Sequence, residues 1–253
     1  MLSRSQIKHI NSLYTKNARN DAKLFPVEGD KLVVEALQSG FVVETLFATG
    51  DFLCAHPAPH AREVIEITAA DLQRISRMQT PQHALALVRM RRPVFDIRRL
   101  TDQLMLALDC VQDPGNMGAI IRIADWFGLR HIISSPDSAD CYNPKVVQAT
   151  MGSVFRVQVC TMPLSSLLDA AVSAGIPVYG AFLTGANIYC TPLSPNGILV
   201  MGNEGNGISP AIAGLIPHRL LIPSFTGTMA GPESLNVAMA TAVCCSEFRR
   251  RLP

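Results

Sequence analysis

The sequence predicts an α/β protein made of two domains. Strand-like and helix-like apolar patterns alternate from residue 104 to residue 249, and such alternation is typical of a mostly parallel sheet covered by helices. The first stretch of about 90 residues also mixes helical and extended patterns, and it has the size of a small independent domain. An arginine-rich stretch at 91–99 separates the two. We therefore predict a first domain at 1–93, a linker at 94–103 and a second domain at 104–253.

The first domain shows three helical and three extended patterns. Apolar spacing predicts helices at 7–13, 30–38 and 69–77 and strands at 42–48, 64–67 and 84–89. The polar run 17–21 predicts a loop. Gly40 follows the second helix, and we expect it to end that helix in the left-handed conformation.

The second domain shows nine alternating patterns and no internal repeat. They lie at 104–111, 118–127, 131–134, 144–150, 164–174, 178–183, 198–201, 220–222 and 235–249. The runs at 104–111, 198–201 and 220–222 are predicted strands, and 235–249 is a predicted long helix.

The composition is that of a globular protein with a core of its own. Of the 253 residues 48% are hydrophobic, so the chain is expected to fold without disulfides or metal. The net charge is only +2, so any nucleic-acid surface has to come from local clustering. Basic residues are concentrated in the first half of the chain.

The cysteines and the apolar runs restrict the setting in which the protein works. Seven cysteines are scattered along the chain, and they lack the paired spacing of a zinc site. We expect reduced thiols and no metal site, as in a cytoplasmic protein. The first residues contain no stretch like a signal peptide, and no apolar run reaches the length of about 18 residues that spans a membrane. We expect a cytoplasmic protein without membrane contact.

Three polar segments follow or end predicted strands, which is where ligands bind in α/β proteins. The first contains Asn116 and Arg122. The turn 113–116 consists of turn-forming residues, and we expect Asn116 to cap a helix that begins near Gly118. Arg122 lies off the apolar face of this helix, where it either binds a phosphate or forms an ion pair with Asp125.

The second segment, 202–207, has three glycines directly after a strand. The backbone must therefore approach another group closely. The order of its glycines differs from a dinucleotide fingerprint, and it has no phosphate-loop lysine. Glu204 is placed to accept hydrogen bonds from the backbone or from a ligand. A tight structural turn explains the same pattern.

The third segment joins the strand at 220–222 to the long helix through a glycine-rich loop. Ser234 is the expected N-cap of that helix. Asn236 then falls in the first turn, where no capping role is expected for it.

These segments resemble the three motifs of the SpoU/TrmH family. The resemblance rests on Asn116 and Arg122 in NxGxxxR, on the run VMGNEGNGIS, and on IP followed by SLNVAMATA. The stretch 143–152 also resembles the family's intervening helix, so the match covers roughly 104–249. The N-terminal residues, including 25–29, are similar to the substrate-binding domain of longer members, which resembles a ribosomal-protein RNA-binding fold.

The resemblance implies an RNA ribose 2′-O-methyltransferase that uses S-adenosylmethionine. It implies an α/β fold threaded into a deep trefoil knot, with helices on both faces of the sheet, and a homodimer formed by the C-terminal domain. It places Gly202, Ile222 and Leu235 at the cofactor. Four more residues lie near it: Leu199, Met201, Asn203 and Pro223. The loop 224–233 is longer than in many relatives. Of the three cofactor positions, Leu235 is the one whose assignment this difference affects most.

The catalytic hypothesis assigns a role to five polar residues. Arg122 holds a phosphate and stabilises charge developing on the 2′-oxygen, while Asn116 and Asn236 orient the ribose. Glu204 and Ser234 support the loops. A guanidinium has a pKa above about 12 and is a poor base, so the base stays unassigned.

The extra N-terminal domain favours ribosomal RNA over transfer RNA as the substrate. The candidate phosphate contacts are the basic residues near the N-terminus: Arg4, Lys8, Lys16, Arg19 and Lys23. A solvated face explains these residues equally well. Two other function classes are weighed against the enzyme. One is a catalytically silent RNA-binding protein, which intact polar positions disfavour, and the other is a Rossmann-type small-molecule enzyme, which lacks its glycine fingerprint.

Overall fold

The structure, a computed structural model, describes residues 2–93, 95–96, 103–226 and 233–250. The chain divides into two compact units. The first unit consists of Met1–Arg92 and Asp140–Arg156, and the second consists of Pro93–Ala139 and Val157–Pro253. Most of the predicted linker 94–103 and residues 227–232 of the predicted long loop lie outside the described residues.

The first unit is built on a four-stranded sheet with the strand order β1-β4-β2-β3. The strands are β1 (Leu24–Glu28), β2 (Val43–Ala48), β3 (Glu63–Glu66) and β4 (Ala84–Arg89). Strands β2 and β3 are parallel, and β4 pairs antiparallel with both of its neighbours. The helices are α1 (Arg4–Ser12), α2 (Lys16–Ala22), α3 (Asp30–Gln38), α4 (Gly50–Ala55) and α5 (Ala69–Ile75). The predicted three helices and three strands are present, whereas β1, α2 and α4 were not predicted.

The segment Asp140–Arg156 completes the core of the first unit. It forms the helix α7 (Pro144–Thr150) and a 3₁₀ turn (Ser153–Phe155). The ring of Tyr142 lies 4.5 Å from that of Phe25, and the ring of Phe155 lies 5.3 Å from that of Phe41. Although the sequence motif places 143–152 with the second domain, these residues pack in the first unit.

Two local predictions for the first unit are wrong. Residues 17–21 lie in the helix α2, because Arg19 turns inward and is only 2% exposed. Its guanidinium donates to the carbonyls of Leu13 and Tyr14 and pairs with Asp140 at 2.6 Å. Gly40 does not have a positive φ, since α3 ends at Gln38 and its C-cap Ser39 is already extended.

The second unit is built on a six-stranded parallel sheet with the strand order β10-β8-β9-β5-β6-β7. The strands are β5 (Leu104–Leu108), β6 (His131–Ser134), β7 (Gln158–Thr161), β8 (Val178–Asn187), β9 (Gly197–Met201) and β10 (His218–Leu221). The helices are α6 (Pro114–Trp126), α8 (Leu164–Ser173), α9 (Pro210–Ala213) and α10 (Val237–Arg250). The mostly parallel sheet is confirmed, and β7 and α9 are additions to the prediction.

Helices cover both faces of this sheet. Met105 and Ala107 of β5 share a buried cluster with residues of α8 and α9. Side chains alternate along a strand, so Leu104 and Leu106 point to the other face, where they are also buried. There α6 contacts both β6 and α10. Over the parts of the chain that the structure describes, no helix is long and apolar enough to cross a membrane.

Candidate active site

The candidate site begins where the neighbouring strands β5 and β9 end. Leu108 pairs with Met201 at the carboxyl ends of these strands. The next residue, Asp109, donates its N–H to the carbonyl of Met201 at 2.9 Å. The side chain of Asn203 then donates to the carbonyl of Cys110 at 2.7 Å. The first two polar segments are therefore joined directly after the strands.

The helix α6 starts earlier than the sequence predicts, and this frees Asn116. Asp113 is the N-cap, since its carboxylate accepts the N–H of Asn116 at 2.8 Å, and Pro114 is the first helical residue. The prediction that Asn116 caps a helix beginning near Gly118 is therefore wrong. Asn116 is the third residue of the helix, and its amide is available for other contacts.

The glycine segment forms a closed turn. Asn203 and Gly207 exchange two backbone hydrogen bonds of 2.8 and 3.0 Å. The Oδ1 atom of Asn203 accepts the N–H groups of Gly205 and Asn206, both at 3.0 Å. A Cβ atom on Gly202 would lie 2.2 Å from the backbone of Gly207 and Ile208, so only glycine fits there.

Glu204 connects this turn to the start of α6. Its Oε1 accepts the N–H of Asp113 at 3.1 Å and the amide of Asn116 at 3.0 Å. Its Oε2 accepts the N–H of Gln112 at 3.4 Å and the amide of Asn203 at 3.3 Å. Burial opposes ionisation, but these hydrogen bonds outweigh it and hold the pKa of Glu204 below its ordinary value of 4.5. The carboxylate is therefore charged at neutral pH.

Asn236 joins the third segment to the other two. Its Oδ1 accepts the N–H of Ala238 at 2.9 Å and of Met239 at 3.4 Å, which makes Asn236 the cap of α10. The prediction of Ser234 as the N-cap is wrong, and Asn236 does have the capping role that was not expected for it. Its Nδ2 donates to Oδ1 of Asn116 at 2.9 Å.

The orientation of both amides follows from their partners. The carboxylate of Glu204 can only accept, so the Nδ2 of Asn116 must face it. The Oδ1 of Asn116 then faces Asn236, which must donate, and this leaves the Oδ1 of Asn236 for the helix N–H groups. Glu204, Asn116 and Asn236 thus form one continuous hydrogen-bonded chain through all three segments.

Arg122 is not part of this chain. It is exposed and, among the described residues, makes no hydrogen bond or ion pair. The alternative that Arg122 pairs with Asp125 is therefore wrong. It follows Asn116 by six residues on α6, which places it about 9 Å further along the helix and on a different face.

The predicted cofactor residues differ in accessibility. Leu199 and Met201 are buried in β9, whereas Ile222 and Pro223 are half-buried just after β10. Leu235 is 50% exposed, and Ser234 next to it is also exposed. Their contact with a cofactor stays a prediction.

Sequence reasoning missed two residues that shape the site. One is Asp113, which the pattern Asp-Pro-Gly could have indicated as an N-cap followed by a proline in the first helical position. The other is Asp109, which is 3% exposed and accepts the N–H of Ser209 at 2.7 Å. No local signal distinguishes Asp109 from a surface aspartate. Within the described ranges, no cluster of histidine, cysteine and carboxylate side chains is arranged to hold a metal ion.

A sequence profile of the SpoU rRNA Methylase family matches residues 103–246, which is more than half of the chain. The chain belongs to this family. A second profile, the MRM3-like substrate binding domain, matches residues 4–86. The family resemblance of both halves is therefore confirmed.

Relatives of the same overall length support this assignment. The 23S rRNA (guanosine(2553)-2′-O)-methyltransferase RlmP of Bacillus subtilis is 30% identical, over 96% of each chain. A TrmH-family structure from Porphyromonas gingivalis is 44% identical and superposes with a TM-score of 0.90 over 100% of both chains. The AdoMet-bound rRNA methyltransferase from Sinorhizobium meliloti is 29% identical with a TM-score of 0.85, over 100% of this chain and 98% of that one.

Proposed function

We propose that this SpoU-family protein transfers a methyl group from S-adenosylmethionine to a ribose 2′-hydroxyl in ribosomal RNA. The observation that carries the proposal is the hydrogen-bonded chain of Glu204, Asn116 and Asn236 at the carboxyl ends of the strands. It brings together three sequence segments that lie far apart, and it leaves polar groups available for a substrate.

The residues around the turn fit the cofactor. Ile222, Pro223 and Leu235 offer half-buried or exposed apolar surface for an adenine ring, and the closed turn at Gly202 gives a fixed backbone edge. When bound, S-adenosylmethionine supplies an electrophilic methyl group on a sulfonium. Leu199, Met201 and Asn203 support the turn from β9 and from within the loop.

Asn116 and Asn236 orient the ribose. Asn116 uses one of its two amide N–H groups for Glu204 and one lone pair for Asn236, so one donor and one acceptor position remain. Asn236 likewise keeps one N–H. A ribose hydroxyl can accept from one amide and donate to the other, which fixes the direction of its lone pairs. Such positioning supplies much of the acceleration in a transfer reaction.

Arg122 binds a backbone phosphate and stabilises the negative charge that develops on the 2′-oxygen. Its exposed guanidinium has no carboxylate partner among the described residues, so it keeps its full charge for an anion. Ser234 supports the loop before α10. A guanidinium is too weak a base to remove the proton, so the base stays unassigned.

The second unit forms a homodimer through α6 and α10. These neighbouring helices carry Trp126, which is 85% exposed, and Met239, which is 63% exposed. Aromatic residues and methionine are enriched in subunit interfaces, so we assign the surface around these two side chains to the dimer. Arg122 lies one turn before Trp126 on α6 and therefore beside this surface. We also propose that the second unit is threaded into the deep trefoil knot that the family resemblance implies.

The substrate proposal rests on the first unit and on the relatives. The matching profile is that of a substrate-binding domain, and RlmP is named for a 23S rRNA position. We propose Arg4, Lys8, Lys16 and Lys23, which are all exposed, as phosphate contacts. The prediction for Arg19 is wrong, because its buried guanidinium is occupied by Asp140 and two carbonyls. A ribosomal substrate agrees with the cytoplasmic location that the sequence predicts.

The test is methyl transfer from labelled S-adenosylmethionine to unmodified ribosomal and transfer RNA. Nucleoside digestion and mass spectrometry identify the product. Arg122→Ala is the test variant, and Arg130→Ala, which removes an exposed arginine from the same unit, is its control. We expect a 2′-O-methylated nucleoside in ribosomal RNA from the wild type and the control, and a large loss of kcat in Arg122→Ala.

Each other outcome contradicts a defined part of the proposal. Label in transfer RNA alone would contradict the substrate class. Cofactor binding without any methylated nucleoside would indicate a silent RNA-binding protein. Full activity of Arg122→Ala at saturating RNA would refute the role of the guanidinium.

A further inference from the structure

We propose that one basic cluster of the first unit, formed by Lys16, Lys23 and Arg92 around Asn20, binds the phosphodiester backbone of the RNA substrate. The inference rests on the proposed function, because it names where that RNA is held. It adds Arg92 and Asn20 to the predicted contacts and singles out two of the N-terminal lysines.

Asn20 is the common point of this basic cluster. Arg92 donates from Nη2 to the Oδ1 of Asn20 at 3.0 Å, and the Nζ of Lys23 donates to the carbonyl of Asn20. Lys16 lies one helical turn before Asn20 on α2, so the two side chains share a face. The N–H of Met90 donates to the carbonyl of Lys23 at 2.9 Å. This hydrogen bond connects the end of α2 to the segment just before Arg92.

The charge of the cluster is not neutralised. Both hydrogen-bonding partners at Asn20 are neutral oxygen atoms, and all three cations are exposed. Among the described residues, none of the three lies within ion-pair distance of a carboxylate. The carboxylate of Asp21 follows Asn20 directly, but successive residues are turned by about 100° around a helix. The cluster therefore presents three positive charges to solvent.

Other arginines of the first unit differ in this respect. Each of five is paired with a carboxylate: Arg19 with Asp140, Arg62 and Arg89 with Glu44, Arg74 with Asp71, and Arg156 with Glu35. Such pairs have little charge left for an RNA. The three cations of the cluster instead keep free N–H donors, since each uses at most one in the contacts described.

A rival surface lies around His83 and is less suited to phosphate. The Nδ1 of His83 lies 2.7 Å from the carboxylate of Asp30, and the hydrogen bond that this carboxylate accepts from the imidazole raises the pKa of His83. Asp51 adds further negative charge there. Two carboxylates would repel an RNA backbone at this position. The basic cluster carries the opposite sign.

The ligand chemistry points to a nucleic-acid backbone. Cationic side chains that are held in place by neutral partners suit the repeating phosphates of a strand, and such contacts set register without reading bases. Binding releases counterions, so the affinity depends steeply on salt. This salt dependence gives the proposal a readout that loss of folding does not imitate.

The experiment measures how the Kd for an unmodified 23S rRNA transcript depends on salt. The test variant is Lys16→Gln, Lys23→Gln and Arg92→Gln combined. The control combines Lys31→Gln, Arg62→Gln and Arg74→Gln, which removes the same number of exposed positive charges from the same unit. Cofactor affinity and thermal unfolding are recorded for both variants. These two readouts show whether the variant proteins are folded.

We expect the test variant to bind RNA less tightly and with a shallower salt slope, reduced by about 0.7–0.9 per lost phosphate contact. Between about 50 and 200 mM salt, the affinity advantage of the wild type then shrinks about 20- to 40-fold. The control should keep the slope of the wild type. An unchanged slope in the test variant, or an equal reduction in the control, would overturn the proposal. Wild-type protein that binds RNA but never methylates it would contradict the proposed function and leave this comparison intact.

Discussion

Replacing Glu204 by glutamine tests whether the hydrogen-bonded chain organises the site. The carboxylate accepts four N–H groups, two at each oxygen. Glutamine has one acceptor oxygen and one NH₂ group of almost the same shape. If its oxygen takes the place of Oε1, its NH₂ group faces the N–H of Gln112 and the amide of Asn203. Two donors are then left without an acceptor.

The magnitude follows from these two donors. A buried donor without a partner costs about 1–3 kcal/mol, but water can reach part of this half-buried site. We therefore expect Glu204→Gln to destabilise the turn by about 1–3 kcal/mol in total. If the loss falls on the positioning of Asn116 and Asn236, kcat decreases by about 5- to 150-fold.

The pH dependence of stability has a defined sign. The folded-state pKa of Glu204 is lowered from 4.5, so the carboxylate stabilises the folded protein above pH 4.5. This contribution is lost as the pH falls through the folded-state pKa. The difference in unfolding free energy between wild type and Glu204→Gln should therefore be largest near neutral pH and shrink under acid conditions.

The assays are single-turnover methyl transfer, cofactor binding by calorimetry and chemical unfolding at several pH values. Asp169→Asn is the matched control, because it removes one exposed carboxylate from α8 and has no contact with the turn. Wild-type kcat and unfolding free energy in Glu204→Gln would refute the reasoning. A loss of equal size in Asp169→Asn would show that net charge, and not the chain through Asn116, is responsible.

Three further predictions concern other parts of the molecule. Gly202→Ala should lose at least about tenfold in cofactor affinity, measured by calorimetry, because the new Cβ would lie 2.2 Å from backbone atoms. Gly205→Ala should bind the cofactor as the wild type does, because a Cβ there would lie 3.7 Å from the nearest atom. A fragment of residues 1–93 should bind a hydrophobic dye and show little hydrogen-exchange protection, because it lacks half of the aromatic contacts of the first unit. A fusion of 1–92 to 140–156 should be protected. Full protection of the fragment 1–93 would contradict this prediction. Burial raises the thiol pKa of both Cys244 and Cys245 to about 12, so neither should react with a thiol reagent at pH 8 in the native protein. Rapid labelling of either cysteine, detected by peptide mass spectrometry, would contradict their burial.

The parallel sheet was predictable because its strands are uniformly apolar. The run at 104–108 is completely buried in β5, and β9 is buried throughout as well. Strands covered on both faces show continuous apolar runs, so their position in a parallel sheet can be read from the sequence. The short edge strand β7 was not predicted, because half of its residues are exposed and polar.

Tertiary contacts account for what the sequence did not show in the first unit. The stretch 17–21 is polar, and local propensity indicates a loop. It is helical because Arg19 is buried against two carbonyls and paired with Asp140, which lies 121 residues away in the chain. No local pattern contains that partner.

At the site, the motifs were predictable but their local roles were not. The sequence indicated Asn116, Glu204 and Asn236 as functional residues, and they do contact one another. Which residue caps each helix depended on single positions that a sequence resolves poorly. Asp113 caps α6 and Asn236 caps α10, so the predicted caps were displaced by a few residues.

The participation of residues 140–156 in the first core has a consequence for biosynthesis. When Arg92 has been added, the growing chain does not yet contain Tyr142 or Phe155, which pack against Phe25 and Phe41. At about 5–20 residues per second, translation to Arg156 takes a further 3 to 13 s, roughly. During this interval the N-terminal half holds an unfinished apolar surface next to the ribosome, where a chaperone can reach it. The first unit, although earliest in the sequence, completes its core only after more than half of the protein has been made.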